Sequence, residues 1–174
     1  MFLMSVDPNT LMLVFYPDLV LKKIAEEVDP KDKNVLAVAR KMVEIMIEEN
    51  GVGLAAPQVG LSWRLFVTRD PEDEDRGIAW LNPHLEVTCN ETEVDEEGCL
   101  SLPLIKGGVR RPLGIKISGY DIDGKEASAQ SDAFIARIWQ HENDHLDGVL
   151  ITEKMSAMDR LVNRRLIRDL ERAK

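Results

Sequence analysis

The sequence predicts an α+β fold: short antiparallel strands packed around a helix that bears an HExxH motif, with an N-terminal helix and a C-terminal helix. Three observations lead there. Helical periodicity is confined to three segments. Residues 51–129, between the first and the second, instead alternate in polarity or break at turn signals. Helices grouped around a run of strands, rather than alternating with them, argue for α+β. A chain of 174 residues with 44% apolar content fits one domain with one core. No repeat, low-complexity tract or long linker divides it, so 1–174 is read as a single domain.

The first ten residues read as a loose arm or an edge segment. Asn34 is expected to cap a helix over about 35–49, whose stripe is Leu36, Ala39, Val43, Met46 and Ile47. Gly51 sits where a stop belongs. Residues 64–68 are β-prone, and 71–77 (PEDEDRG) read as an exposed acidic loop. Residues 84–90 alternate, with Leu85, Val87 and Cys89 on one face. Residues 113–120 alternate too, with Ile115 and Ile117 pointing one way, and Asp123-Gly124 is a hairpin turn signal. A second helix is expected over about 131–146, buried through Phe134 and Ile138 and stopped at Gly148. A third is expected over about 156–172. Met158, Val162, Leu166 and Leu170 recur there every four residues, and Ser156-x-x-Asp159 resembles a capping box.

Charge excludes some functions. Asp and Glu outnumber Lys and Arg by 31 to 22, a net of -9. Phosphate binding wants a basic face, so DNA and anionic membranes are poor partners. The imbalance is regional: residues 70–100 hold eleven acidic residues and one basic, whereas 156–174 hold six basic and three acidic. The early apolar run 11–16 stops at Pro17-Asp18, far short of a membrane span. Two cysteines are too few for a disulfide framework, which favours a reduced compartment. No Lys or Arg precedes Lys22, so no signal-peptide pattern or Arg/Ser-rich leader is visible. The expected location is cytoplasmic, bacterial or phage-like, rather than organellar.

The sharpest chemical signal is His141-Glu142-Asn143-Asp144-His145. On a helix, residues four apart share a face, so two imidazoles can close on one metal ion. Glu142, beside the first, can then act as a general base on a water. Two surface histidines on a solvated turn are the blander alternative. The third ligand would be a downstream Glu or His, or a Cys elsewhere. No His follows His145, and Glu153 lies beyond the Gly148 stop. Cys99, in Glu97-Gly98-Cys99-Leu100-Ser101, follows a glycine that lets the backbone approach a site. Alone it would read as a small core residue. Beside HExxH, a thiolate with two imidazoles leaves a fourth position open, as a catalytic site requires. The stretch 51–60 (GVGLAAPQVG) lacks the ending of a phosphate loop. Its Gln58 could donate to a developing oxyanion, although by itself a Gly/Ala-rich turn with a surface Gln is the better reading.

GVGLAAPQVG, EGCLS and QHENDHLDG, in this order and at this spacing, resemble the three motifs of the peptide deformylase family. The resemblance covers most of the chain, including Tyr16-Pro17-Asp18 and Phe134-x-Ala136-Arg137. With no long insertion between Gly60 and Glu97 and a basic helical tail, the chain is similar to the type 1 bacterial or organellar branch. It departs at Leu19, where many members have Pro, and over 104–108, near the pocket rim.

The resemblance implies removal of formate from N-formylmethionyl nascent peptides. It implies Cys99, His141 and His145 as ligands of one divalent metal ion with a water in the fourth position. The family's physiological metal is typically Fe(II), with Zn(II), Ni(II) or Co(II) able to occupy the site. Glu142 would serve as general base and then as general acid. The Gln58 amide and the backbone N–H of Leu100 would stabilise the oxyanion, such donors contributing about 3–4 kcal/mol each. The peptide would bind extended, with main-chain bonds near Val52-Gly53 and Glu97-Gly98. Its methionine would enter a pocket of Val52, Leu100, Ile138 and the face of His141. Arg111 would anchor the loop after the Cys motif, and Asp144 would support the ligands from behind. His84 and Cys89 are assigned no role. Arg160, Arg164, Arg165 and Arg168 offer a ribosome contact, against the plainer reading of a solvated basic face. Two other functions compete: an HExxH metallopeptidase, which would not need Cys99, and a non-catalytic metal-stapled peptide-binding domain.

Overall fold

A computed structural model describes residues 5–173. The expected arm therefore lies partly outside the described residues; within them, Pro8–Thr10 form one turn of 3-10 helix. Helix α1 spans Lys33–Glu48, and its N-cap is Asp32, not Asn34: Asp32 accepts from the Asn34 N–H at 2.7 Å. Asn34 instead ties down the arm. Its Oδ1 accepts from Val6 N–H at 2.9 Å and its Nδ2 donates to Val6 O at 2.7 Å. Val38, Met42 and Met46 recur at four-residue spacing on the buried face.

Seven strands follow: β1 (Gly53–Ala55), β2 (Leu65–Asp70), β3 (Asp73–Val87), β4 (Thr92–Cys99), β5 (Leu102–Pro112), β6 (Ile115–Tyr120) and β7 (Glu126–Ser131). They form an antiparallel sheet ordered β1-β2-β3-β6-β7 and a separate ribbon, β4-β5. Two expectations are corrected. The acidic loop at 71–77 is mostly strand: β2 and β3 pair Asp70 with Asp73, leaving only a tight turn at 71–72. The strands are not all short, since β3 runs 15 residues and β5 runs 11. Of the face expected at Leu85, Val87 and Cys89, Val87 is the last residue of β3 and is exposed, and Cys89 lies beyond the strand. Ile115 and Ile117 are buried, as alternation predicts, and Gly124 turns the β6–β7 hairpin.

Helix α2 spans Phe134–Leu146. The β2 side chains alternate between two cores. Leu65 and Val67 pack with Met42 and Met46 of α1, whereas Phe66 packs with Trp139 and Leu146 of α2. The sheet thus lies between α1 and α2, and burying each such side chain contributes about 1.5–3 kcal/mol. Trp80 of β3 meets Trp139 edge-on, with ring centroids 6.0 Å apart. Phe134 does not bury the helix, as expected of it; it is exposed at the first turn, and Ala136, Ile138, Trp139 and Leu146 are buried instead. Gly148, at φ 72, ends the helical path.

The expected third helix is divided. After α3 (Ile151–Lys154) come α4 (Ala157–Val162) and α5 (Arg164–Arg172). The break is at buried Asn163, whose Nδ2 donates to Lys106 O of β5 at 2.7 Å. This junction alters the phase of the four-residue stripe. Leu166 and Leu170 pack, joined by Ile167, while Met158 and Val162 face solvent. The capping contact is present: Asp159 N–H donates to Ser156 Oγ at 3.0 Å. Leu102, Ile105 and Val109 of β5 form the third core with Leu150, Ile151 and Met155.

Candidate active site

Cys99 ends β4 and pairs with Leu102 across an irregular register at Gly98/Cys99. His141 and His145 project from one face of α2, with ring centroids 5.0 Å apart. One ligand atom from each of Cys99, His141 and His145 lies within 4.8 Å of the other two. Cys99 Sγ stands 3.4 Å from His145 Nε2. Donors about 2.0–2.3 Å from a shared tetrahedral ion stand about 3.5 Å apart, so these residues fit a metal ion.

One buried polar atom supports that fit. Oε2 of Glu142 has no hydrogen-bond partner among the described residues. Such an orphan is uncommon unless a ligand or reacting group meets it. Burial, together with the neighbouring His141, pushes the His145 ring well below its ordinary pKa, toward the neutral form a metal needs. Burial also lowers the His141 ring, but the Cys99 thiol and Glu97 carboxylate on either side pull its pKa up. Glu142 is almost fully buried beside His141, and burial pushes its carboxyl up to about 7 against the pull of His141 and Arg111. A carboxyl titrating there exchanges a proton readily near neutral pH.

Gln58 sits in the 3-10 turn Ala56–Val59 and is buried. Its Oε1 accepts from Ala55 N–H at 2.8 Å, which turns the amide nitrogen inward. That Nε2 lies 3.4 Å from Cys99 Sγ and 3.3 Å from Ser101 Oγ. Gly53 of β1 faces Glu142 so closely that a side chain there has no space.

Sequence reasoning placed Glu97 against the substrate through its main chain, and missed its carboxylate. Oε2 lies 2.9 Å from His141 Nδ1, leaving His141 Nε2 for a metal. Arg111 grips the same carboxylate through Nε at 2.5 Å and Nη2 at 2.8 Å, and Arg137 Nη1 adds a bond at 2.9 Å. Burial alone would raise the Glu97 carboxyl; the bonds from Arg111 and His141 hold it well below the usual range. Arg111 also bonds Asp144 Oδ2 at 2.9 Å, so the two residues expected behind the ligands form one network, which Lys154 extends. Arg137 was legible only as part of a motif. Its partners, Glu97, Val109 O and Glu93 O, are all distant in sequence.

These groups open on a cleft of about 550 Å³. It is lined by Gln58, Glu97, Gly98, Cys99, Leu100, His141 and Glu142, and by Val52, Gly53 and Ile138. The structure thus gathers the expected catalytic and substrate-binding residues, with Cys99 and His141, on the cleft wall, whereas the third expected ligand, His145, is buried off it, as is Arg111. Both cysteines are free, and Cys89 lies apart, its Sγ accepting from Gly114 N–H at 3.0 Å. No helix among the described residues is long and apolar enough to cross a membrane.

Comparison with known proteins bears on this geometry. The family model described as polypeptide deformylase matches residues 10–161. A peptide deformylase of Thermotoga maritima is 40% identical over 158 residues, covering 90% of this chain and 94% of that protein. One from Desulforudis audaxviator is 38% identical over 146 residues, covering 84% and 94%. A crystal structure of peptide deformylase from Plasmodium falciparum superposes with a TM-score of 0.86 at 38% identity, covering 93% of this chain and 96% of that one. A model matching most of the chain, relatives of this identity over nearly full length and a shared fold lead to one conclusion: the chain belongs to the polypeptide deformylase family.

Proposed function

We propose that this chain hydrolyses the N-formyl group from formylmethionine at the start of nascent polypeptides, releasing formate and a free amino terminus. The observation that carries the reading is the Cys99, His141 and His145 donor set beside Glu142, whose buried Oε2 has no partner among the described residues, at the wall of one cleft. Cys99, His141 and His145 would hold one divalent ion, which when bound supplies Lewis acidity for the formyl oxygen and acidifies a water. Fe(II) is the ion we assign; a thiolate with two imidazoles also suits Zn(II), Ni(II) or Co(II).

The remaining steps belong to the chain's own residues. Glu142 takes a proton from the attacking water and returns it to the departing amine, so one carboxylate serves as base and then as acid. The Gln58 amide nitrogen, fixed by the Ala55 bond, donates to the oxyanion that forms on the formyl oxygen. The Leu100 N–H is the second donor in this reading. The peptide lies extended between Val52-Gly53 and Glu97-Gly98, and its methionine packs against Leu100, Ile138 and the His141 ring. The Glu97–Arg111–Arg137 cluster holds His141 in place.

Formate release from a formyl-Met peptide by anaerobically purified protein with Fe(II) tests the reading. Wild type should release formate and Glu142→Ala should not; no formate above that control would refute it. Anaerobic handling protects Cys99 from oxidation. We assign the enzyme to the bacterial cytoplasm, in keeping with its bacterial relatives, although a chloroplast relative from Solanum lycopersicum also matches. A ribosome contact would use the exposed Arg160, Arg164, Arg165 and Arg168. Cosedimentation with ribosomes that weakens with salt would support it.

A further inference from the structure

Large apolar side chains gather at the mouth of the cleft. Leu104, Phe134, Val52 and Phe15 are 83%, 58%, 47% and 45% exposed, and all four line it. Leu104 differs from the others in its backbone. It lies in β5 at φ 66, in the left-handed region that suits glycine and disfavours a branched side chain. Exposure to water gives no return for that strain, and Leu104 belongs to none of the three apolar cores among the described residues. Strained residues of this kind cluster where a ligand makes use of them. The strand that carries Leu104 begins only three residues after Cys99, and Leu104 lines the same cleft as Cys99, His141 and Glu142.

We propose that Leu104 is a specificity-determining residue that contacts an apolar side chain immediately following the formylmethionine. This rests on the deformylase reading above and deepens it. The methionine itself is served by Ile138 and Leu100, which line the same cleft but are buried and half-buried. An occupant of the outer rim belongs to the next part of the chain, and the rim's chemistry selects Leu, Ile, Phe or Met over Gly, Ser or Asp. Contact with one such side chain is a preference of about fivefold to tenfold, below the full value of an enclosed pocket.

The test is steady-state formate release from two peptides, formyl-Met-Leu-Ser and formyl-Met-Gly-Ser, by Fe(II)-loaded wild type, Leu104→Gly and Leu104→Ala. Wild type should favour the Leu peptide about fivefold to tenfold in kcat/KM, mostly through KM. Both variants should lose most of that ratio. Thermal melting separates contact from strain: Leu104→Gly, which removes both, should melt above Leu104→Ala, which removes only the contact. Equal turnover of the two peptides by wild type, or an unchanged ratio in both variants, overturns the proposal while leaving the deformylase reading intact. No formate from either peptide with wild type overturns both.

Discussion

Glu142 fills the space that a side chain on Gly53 would need: a Cβ there would clash with Oε1, Cδ and Cγ of Glu142. The glycine of β1 and the acid of α2 are therefore fitted to one another. Gly53→Ala should drive the Glu142 carboxylate from its position. We expect kcat to fall about 100-fold, in the range of a lost general base, with metal content unchanged. Parallel metal analysis and formate release would check this; unchanged turnover would show that Glu142 tolerates displacement.

A buried carboxyl pushed up to about 7 makes two pH predictions. Glu142 acts as a base only when ionised, so kcat/KM should fall about tenfold per unit as pH drops below its pKa. Stability should move the other way. The folded chain holds the Glu142 proton longer than the unfolded chain does, so between about pH 4.5 and 7 this group makes stability fall as pH rises. Glu142→Gln should therefore melt higher than wild type at pH 8, by up to about 3 kcal/mol in chelator-treated protein. The difference should shrink at pH 5. Melting curves at both values would decide it.

Arg111 is the largest support of Glu97, which in turn orients His141. Arg111→Ala leaves a buried carboxylate and Asp144 with one cation fewer, and should cost about 3 kcal/mol of stability. Metal affinity should drop about 10- to 100-fold as His141 loses its orientation. Lys at this position cannot reproduce the two-pronged grip, so Arg111→Lys should recover little. Denaturant melts together with metal titration would test both statements.

What was legible in the sequence was whatever depends on near neighbours. HExxH places two imidazoles on one helix face by geometry alone, and Gly148 stops that helix where expected. The helix cap at Asp32 was missed because Asp32 and Asn34 are both capping types, and the choice was set by the arm at Val6. The acidic segment after Asp70 read as a loop because strand pairing with β2 is not written in local composition. The four-residue stripe over 158–170 suggested one helix, yet a bond from Asn163 to Lys106 of β5 breaks it. In the site, the role of the Glu97 carboxylate and that of Arg137 were not legible, because their partnership exists only once the β4-β5 ribbon meets α2.

Cys99 separates this enzyme from a metallopeptidase built on the same HExxH. Its Sγ lies 3.4 Å from His145 Nε2, and Gln58 donates to it. Cys99→Ala should lose both the metal and the activity. Chelation of wild type should abolish turnover, and Fe(II) added under anaerobic conditions should restore it. A Cys99→Ala variant that keeps metal and turnover would remove the thiolate from the ligand set.

The most direct measurement is the identity of the products made from formyl-Met-Ala-Ser by the Fe(II)-loaded enzyme, with Glu142→Gln in parallel. Wild type should give formate and intact Met-Ala-Ser in equal amounts, and the variant neither. Fragments from a broken peptide bond, or an unchanged substrate, would contradict the proposed function.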